Sequence, residues 1–186
     1  MFRSLLAIVA LATTTLTAVA ADKDFLLLEL KGGTVKIELL DEIAPNHVAR
    51  VIELTESGAY DGIAFHRVIE GFMAQTGDVK YGKVEDDGSV SSYAGYGGSE
   101  LPDLVQEFST TPFDRGIVGA ARGPDENSAN SQFFIVLNKS HHLNKGYTVW
   151  GRVVEGMEHV DAIKRGHPET GAITGTPDKI MRAWTE

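Results

Sequence analysis

Phe65-His66-Arg67-Val68-Ile69-Glu70-Gly71-Phe72-Met73-Ala74-Gln75-Thr76-Gly77-Asp78 is the stretch on which the fold of this 186-residue chain turns. Two apolar-rich runs flank Glu70-Gly71, and the glycine accepts the positive φ of a tight turn, so the stretch predicts a β-hairpin. Phe and Met supply its core face. Arg67 is out of place in that bland picture, because a permanently charged, rigidly forked side chain stands between Phe65 and Phe72-Met73. His66 alternates away from Arg67 along the strand and is read as a structural hydrogen bonder. A second unusual stretch, Asn130-Ser131-Gln132-Phe133-Phe134-Ile135, lies further along the chain.

Outward from these two segments, the rest of the chain is short strands and two helices. Phe25–Leu30 and Val35–Leu39 predict a hairpin around Lys31-Gly32-Gly33-Thr34. Pro45 suits the first turn of a helix carrying Val48, Val51, Ile52 and Thr55, with Gly58 at its C-terminal end. His47, Arg50 and Glu53 fall off its apolar face. Further strands are expected at Ile63–Ile69, Phe72–Gln75, Ile117–Ala121, Phe133–Leu137, Val149–Val154 and Lys179–Trp184, with a second helix at Met157–Lys164. Lys80–Glu100, rich in Gly, Ser, Tyr and acids, reads as a long surface loop. Such spacing in a chain of this length indicates a mainly β sandwich or barrel in one domain.

Residues 1–20 have a different character. Arg3 is followed by the apolar run Leu5–Leu11, and Ala18-Val19-Ala20 offers small residues for cleavage. The run is shorter than the ~20 residues that span a bilayer. Residues 1–20 therefore read as a signal peptide and 21–186 as the mature domain, destined for the periplasm or, alternatively, secreted, with no membrane association after cleavage. Removing Arg3 leaves 16 positive against 26 negative charges, a net of -10.

That acidic balance argues against a nucleic-acid binder, since no basic face is available for phosphates. With no cysteine, the chain has neither disulfides nor thiolate chemistry. Gly95-Tyr96-Gly97-Gly98 lacks the third glycine of a dinucleotide fingerprint, and neither a phosphate loop nor a Gly-x-Ser-x-Gly elbow occurs. His141-His142 lacks the supporting spacing of a metal site, and Glu85-Asp86-Asp87-Gly88 misses that of a calcium loop. Neither a metal nor a cofactor is expected.

From Phe25 to Trp184 the chain resembles the cyclophilins, a family of peptidyl-prolyl cis-trans isomerases. The hairpin and the Asn130–Ile135 segment carry the resemblance, with Ala44-Pro45, Arg115-Gly116-Ile117-Val118-Gly119-Ala120-Ala121 and Trp150-Gly151-Arg152-Val153-Val154-Glu155-Gly156-Met157. It implies a closed eight-stranded antiparallel β-barrel capped by two α-helices, with a shallow proline-binding groove on its outer face. Arg67 and Gln75 match the catalytic positions. Phe72, Met73, Ala121, Arg122, Gln132, Phe134, His142, Leu143 and Tyr147 match the substrate-binding ones. Arg122, His142 and Tyr147 stand where the best-known eukaryotic members have asparagine, tryptophan and histidine, and Thr76 replaces a glycine. Arginine and tyrosine at these places resemble the bacterial exported branch. The implied partners are proline-containing segments of unfolded or exported proteins, and the implied state is a monomer.

The chemistry asks for little more. Rotation about an X–Pro amide is opposed by a resonance barrier of ~18–20 kcal/mol, and no bond breaks. An apolar slot must hold the proline ring, which suits Phe72, Met73, Phe134 and Leu143. A fixed donor must favour the twisted amide, whose nitrogen gains lone-pair character; Arg67 can stabilise that nitrogen or the adjacent carbonyl, and Gln75 can hold Arg67 or the substrate backbone in place. A module of the same fold that only grips proline segments is the alternative, and it has no need of Arg67.

Overall fold

The structure is a computed structural model that describes residues 24–186. The expected signal peptide lies outside the described residues. The elements run β1 (Phe25–Leu30), β2 (Gly33–Leu39), α1 (Pro45–Glu56), β3 (Arg67–Ile69), β4 (Met73–Thr76), β5 (Ile117–Ala120), β6 (Phe133–Val136), β7 (Val149–Glu155), α2 (Met157–Asp161) and β8 (Arg182–Thr185). A 3-10 turn at His141–Leu143, unforeseen in the sequence, precedes β7.

All pairings are antiparallel, in the order β3-β4-β6-β5-β7-β2-β1-β8. The resemblance implied a closed barrel. The ladder is instead open and curled, with β3 and β8 as its edges. The strand expected over Ile63–Ile69 pairs with β4 only from Arg67. Its first half crosses to the chain before β8, where Ala64 bridges Lys179, Phe65 N–H donates to Asp178 O at 2.9 Å and Ile180 N–H to Ile63 O at 2.9 Å. These few stitches span the gap without a continuous ladder. The outer edge of β3 is covered by the 166–172 turn, since Val68 N–H donates to Gly171 O and Gly166 N–H to Val68 O. That cover satisfies an edge that would otherwise invite further pairing.

Period-two alternation builds two cores. Along β6 every residue is buried, yet Phe133 and Ile135 join the interior with Leu26, Leu28, Ile37 and Trp150. Phe134 and Val136 face the other way, into a smaller cluster with Met73, Phe113, Ile117, Leu143 and Val149. That second cluster is the floor of the candidate site. A strand buried on both faces reads as a continuous apolar run, as Phe133–Val136 does.

Helix α1 begins at Pro45 and packs Val48, Val51 and Leu54 into the interior. His47 and Arg50, expected off the apolar face, are buried at 2% and 8% exposure. The segment around 102–107 covers them. Glu107 accepts from Asn46 N–H at 3.1 Å, His47 N–H at 3.1 Å and His47 Nδ1 at 2.6 Å, while Arg50 Nη2 donates to Pro102 O at 2.8 Å. With Ala44 before the helix offering no side-chain cap, Glu107 satisfies the exposed N–H groups of the first turn from a distant segment. Helix α2 stops at Asp161 rather than Lys164. Ile163 N–H tightens onto Val160 O and Lys164 N–H turns to the Asp178 carboxylate.

Candidate active site

Strand register places the central row of the site. Arg67 pairs with Gln75 across β3–β4, Gln75 with Phe134 across β4–β6, and Phe134 with Gly119 across β6–β5. Directly opposed residues share a face, so Arg67, Gln75 and Phe134 stand side by side. Gly119 completes the row by being empty. A Cβ there would lie 2.6 Å from Phe134 and 2.7 Å from Phe113, whose rings stack with centroids 5.7 Å apart.

Over this row lies a cavity of about 130 Å³. It is far smaller than the ~300–1,000 Å³ of drug-sized ligand sites, and its size suits one side chain. Met73, Phe134 and Leu143 form its buried floor, with Phe72 and Tyr147 half-buried at the sides. Tyr147 meets Phe134 edge-on at 5.6 Å. Arg67, Gln75, Ala121 and Arg122 complete the lining. Two expected residues stand outside it. The exposed His142 ring packs on Phe72 at 5.2 Å, and Gln132 lies behind Gln75. A broader cavity of about 390 Å³ shares Gln75, Ala121 and Arg122 and continues the groove past Gly95–Gly97 and Gly123–Ser128.

The guanidinium of Arg67 is held from two sides. Nε donates to Thr170 O at 3.1 Å, and Nη1 donates to Gln75 Oε1 at 3.3 Å while lying 3.9 Å from Met73 Sδ. Nη2 takes part in none of these contacts. Gln75 Nε2 in turn donates to Gln132 Oε1 at 3.0 Å, and Gln132 Nε2 donates to Gly95 O at 3.0 Å and Gly97 O at 2.7 Å. Arg122 is committed differently. Its Nε and Nη2 donate to Gly146 O, its Nη1 to Gly123 O, and its guanidinium lies 4.7 Å from the Tyr147 ring centre. It braces the wall that carries Tyr147.

The His66 ring packs against Gly95, beside the Ala64 backbone and the Gln132 side chain. Burial holds its pKa below the ordinary histidine value, against the pull of Asp78. The 80–100 segment is exposed over much of its length, but its 95–97 end is tied down by Asp78, a fully buried carboxylate to which the sequence assigned no role. Phe113 and Thr170 were also missed, since a stacked ring and a backbone carbonyl leave no motif. Thr76 donates its hydroxyl to Ala64 O at 2.8 Å. His141 and His142 diverge, the first pairing with Asp114 and the second with Phe72. Among the described residues, no group of three His, Cys, Asp or Glu side chains is placed to hold a metal ion.

The site is thus an arginine beside an apolar slot the size of one side chain, on an eight-stranded sheet with two helices, and comparison with known proteins gives the family. Residues 25–185 match the family described as cyclophilin type peptidyl-prolyl cis-trans isomerase/CLD. The chain belongs to this family and is a peptidyl-prolyl cis-trans isomerase. It is 52% identical over 171 residues to a probable peptidyl-prolyl cis-trans isomerase of Brucella suis biovar 1 (strain 1330), covering 91% of this chain and 87% of that one. The crystal structure of cyclophilin AquaCyp293 from Hirschia baltica superposes with a TM-score of 0.69 at 27% identity, covering 87% of this chain and 73% of that one. A Cryptosporidium parvum cyclophilin type isomerase, crystallised in the presence of the dipeptide Ala-Pro, gives a TM-score of 0.72 at 24% identity, covering 87% and 98%. The likeness to the last is one of fold.

Proposed function

We propose that Arg67 is the catalytic cation of this isomerase, that Gln75 orients it, and that the chain acts as a monomer on proline-containing segments of exported proteins, assisting their folding. The observation that carries the reading is the Arg67 fork, fixed through Nε and Nη1 at the mouth of the apolar slot, with Nη2 in none of those contacts. The proline ring sits on Met73, Phe134 and Leu143, flanked by Phe72 and Tyr147, with His142 packed on Phe72 from outside the slot. The acyl side of the amide rotates while the ring is held. As conjugation is lost, the proline nitrogen becomes pyramidal and basic, and a guanidinium N–H stabilises that lone pair more than the planar ground state. A donor already fixed by neighbours needs little reorganisation when the charge develops.

The Arg3–Ala20 pattern supports export to the periplasm, with secretion as the alternative, and Arg122 and Tyr147 support the bacterial exported branch of the family. Proline-peptide exchange measured on residues 21–186 tests the catalytic reading. Turnover well above the uncatalysed rate is expected, and binding without turnover would leave a proline-gripping module in its place.

A further inference from the structure

We infer that Asp78 is a positioning residue for catalysis, anchoring the far end of the hydrogen-bond relay that orients Arg67 although it lies outside the substrate cavity. This rests on the proposal that Arg67 is the catalytic cation.

Asp78 is completely buried. A buried carboxylate needs donors, and it has four, all backbone N–H groups. Oδ1 accepts from Lys80 at 3.1 Å and Tyr81 at 2.8 Å, and Oδ2 from Gly95 at 2.7 Å and Gly97 at 2.9 Å. The charge therefore staples the 95–97 backbone to the end of the catalytic hairpin. The approach is too close for side chains. A Cβ on Gly97 would collide with Asp78 Oδ1, and Gly95 has φ +99 with the His66 ring beneath it.

With their N–H groups held by Asp78, Gly95 and Gly97 both present carbonyl oxygens to Gln132. Two acceptors on one amide end require that end to be the NH2, so Nε2 of Gln132 faces the loop and Oε1 faces Gln75. Gln75 must then donate from Nε2, which leaves its Oε1 for the Arg67 guanidinium. A guanidinium only donates, so the reverse orientation of either amide would set NH2 against N–H. The two loop carbonyls thus fix the polarity of the relay at its far end, in agreement with the donor-only guanidinium at its near end, and Asp78 holds the backbone that presents them. Removing it frees the loop, slackens the relay, and loosens Arg67.

The test is a double-mutant cycle on the mature chain, reading kcat and KM for a proline peptide in Asp78→Asn, Gln132→Ala and the double variant, with urea unfolding to show that each is folded. Asp78→Asn keeps the shape but sets an NH2 against backbone N–H groups. The expected result is a fall in kcat of about tenfold to a hundredfold with KM nearly unchanged, as for small misplacement of a reacting group. The double variant should fall little further than the worse single one, because both cut the same relay. Gly97→Ala, which pushes the loop off Asp78 without removing the buried charge, should reproduce the effect and stands in if Asp78→Asn does not fold. Unchanged kcat in the folded variants, or factors that multiply in the double variant, would overturn the role of Asp78. Arg67→Ala assayed in parallel separates the two levels: if it is inactive while the cycle is multiplicative, only the Asp78 inference fails, and if it turns over normally both readings fall.

Discussion

Arg67 and Gln75 face each other across the β3–β4 pair, and the guanidinium Nη1 donates to the amide Oε1 at 3.3 Å while Nε donates to Thr170 O at 3.1 Å. Both contacts use the planar fork, which an ammonium cannot reproduce. Arg67→Lys should therefore lose about a hundredfold or more in kcat/KM although the charge is kept, as when an oriented donor is removed. Gln75→Ala, which leaves Nε anchored, should lose about tenfold to a hundredfold, at least as much as a change further along the relay. Steady-state kinetics on a proline peptide checks both, and full activity in Arg67→Lys would mean that charge alone suffices.

His142 covers the Phe72 side of the slot with a small exposed ring. The family resemblance implies that in cyclosporin-sensitive members a tryptophan at this position gives the drug an indole N–H and a larger apolar surface. Losing these should weaken the complex by about 1–3 kcal/mol, or roughly ten- to hundredfold. The slot floor of Met73, Phe134 and Leu143 is untouched, so turnover should survive. Titration with cyclosporin should show weak inhibition that tightens in His142→Trp. Strong inhibition of the unaltered protein would show that the groove does not depend on this side chain.

The pair of buried His47 and half-buried Glu107 makes stability depend on acid. Burial holds His47 below its ordinary 6.5, outweighing the hydrogen bond and charge of Glu107, and its Nε2 has no partner to receive a second proton. Burial alone would raise Glu107, but the hydrogen bonds from His47 and Asn46 bring it below its ordinary 4.5. Both folded values lie under the unfolded ones, so the fold binds these protons less tightly. The His47 contribution is complete above about pH 6.5 and is lost as pH falls through its folded value, and that of Glu107 follows below about pH 4.5. In His47→Gln one N–H can still reach Glu107 but no proton can be gained. Its deficit of about 1 kcal/mol at about pH 8 should shrink by about pH 5. Urea unfolding across that range decides it, and parallel stability curves would exclude His47 as the titrating group.

Export makes a prediction about mass. Protein recovered from the periplasm or medium should lack about the first twenty residues, the length of a secretory leader. Full-length chain retained in the cytoplasm would contradict it.

Much of this site was legible because it is strand-borne. Arg67, Gln75 and Phe134 fall in hairpin and strand segments whose alternation fixes their face, and the slot gathers nine of the eleven expected residues. What escaped is long-range. The burial of His47 and Arg50 depends on Glu107 and Pro102 arriving from a segment without regular structure, so helical periodicity sorted those two side chains to the wrong face. The barrel gap has a similar origin. Ile63–Ile69 has strand composition throughout, but its first half finds its partner beside Lys179 rather than in β4. Asp78 was part of the deciding stretch, yet its partners are backbone N–H groups, which no side-chain pattern records.

The most direct measurement is two-dimensional exchange NMR on an X–Pro peptide with the mature chain and Arg67→Ala, because it reads the on-enzyme isomerisation rate and the peptide affinity in one sample. Arg67 contributes only as the amide twists, so its removal should slow on-enzyme exchange by about a hundredfold or more while affinity falls much less. An Arg67→Ala protein that exchanges the bound peptide at the unaltered rate, or one that loses only affinity, would contradict the role of Arg67 as the catalytic cation.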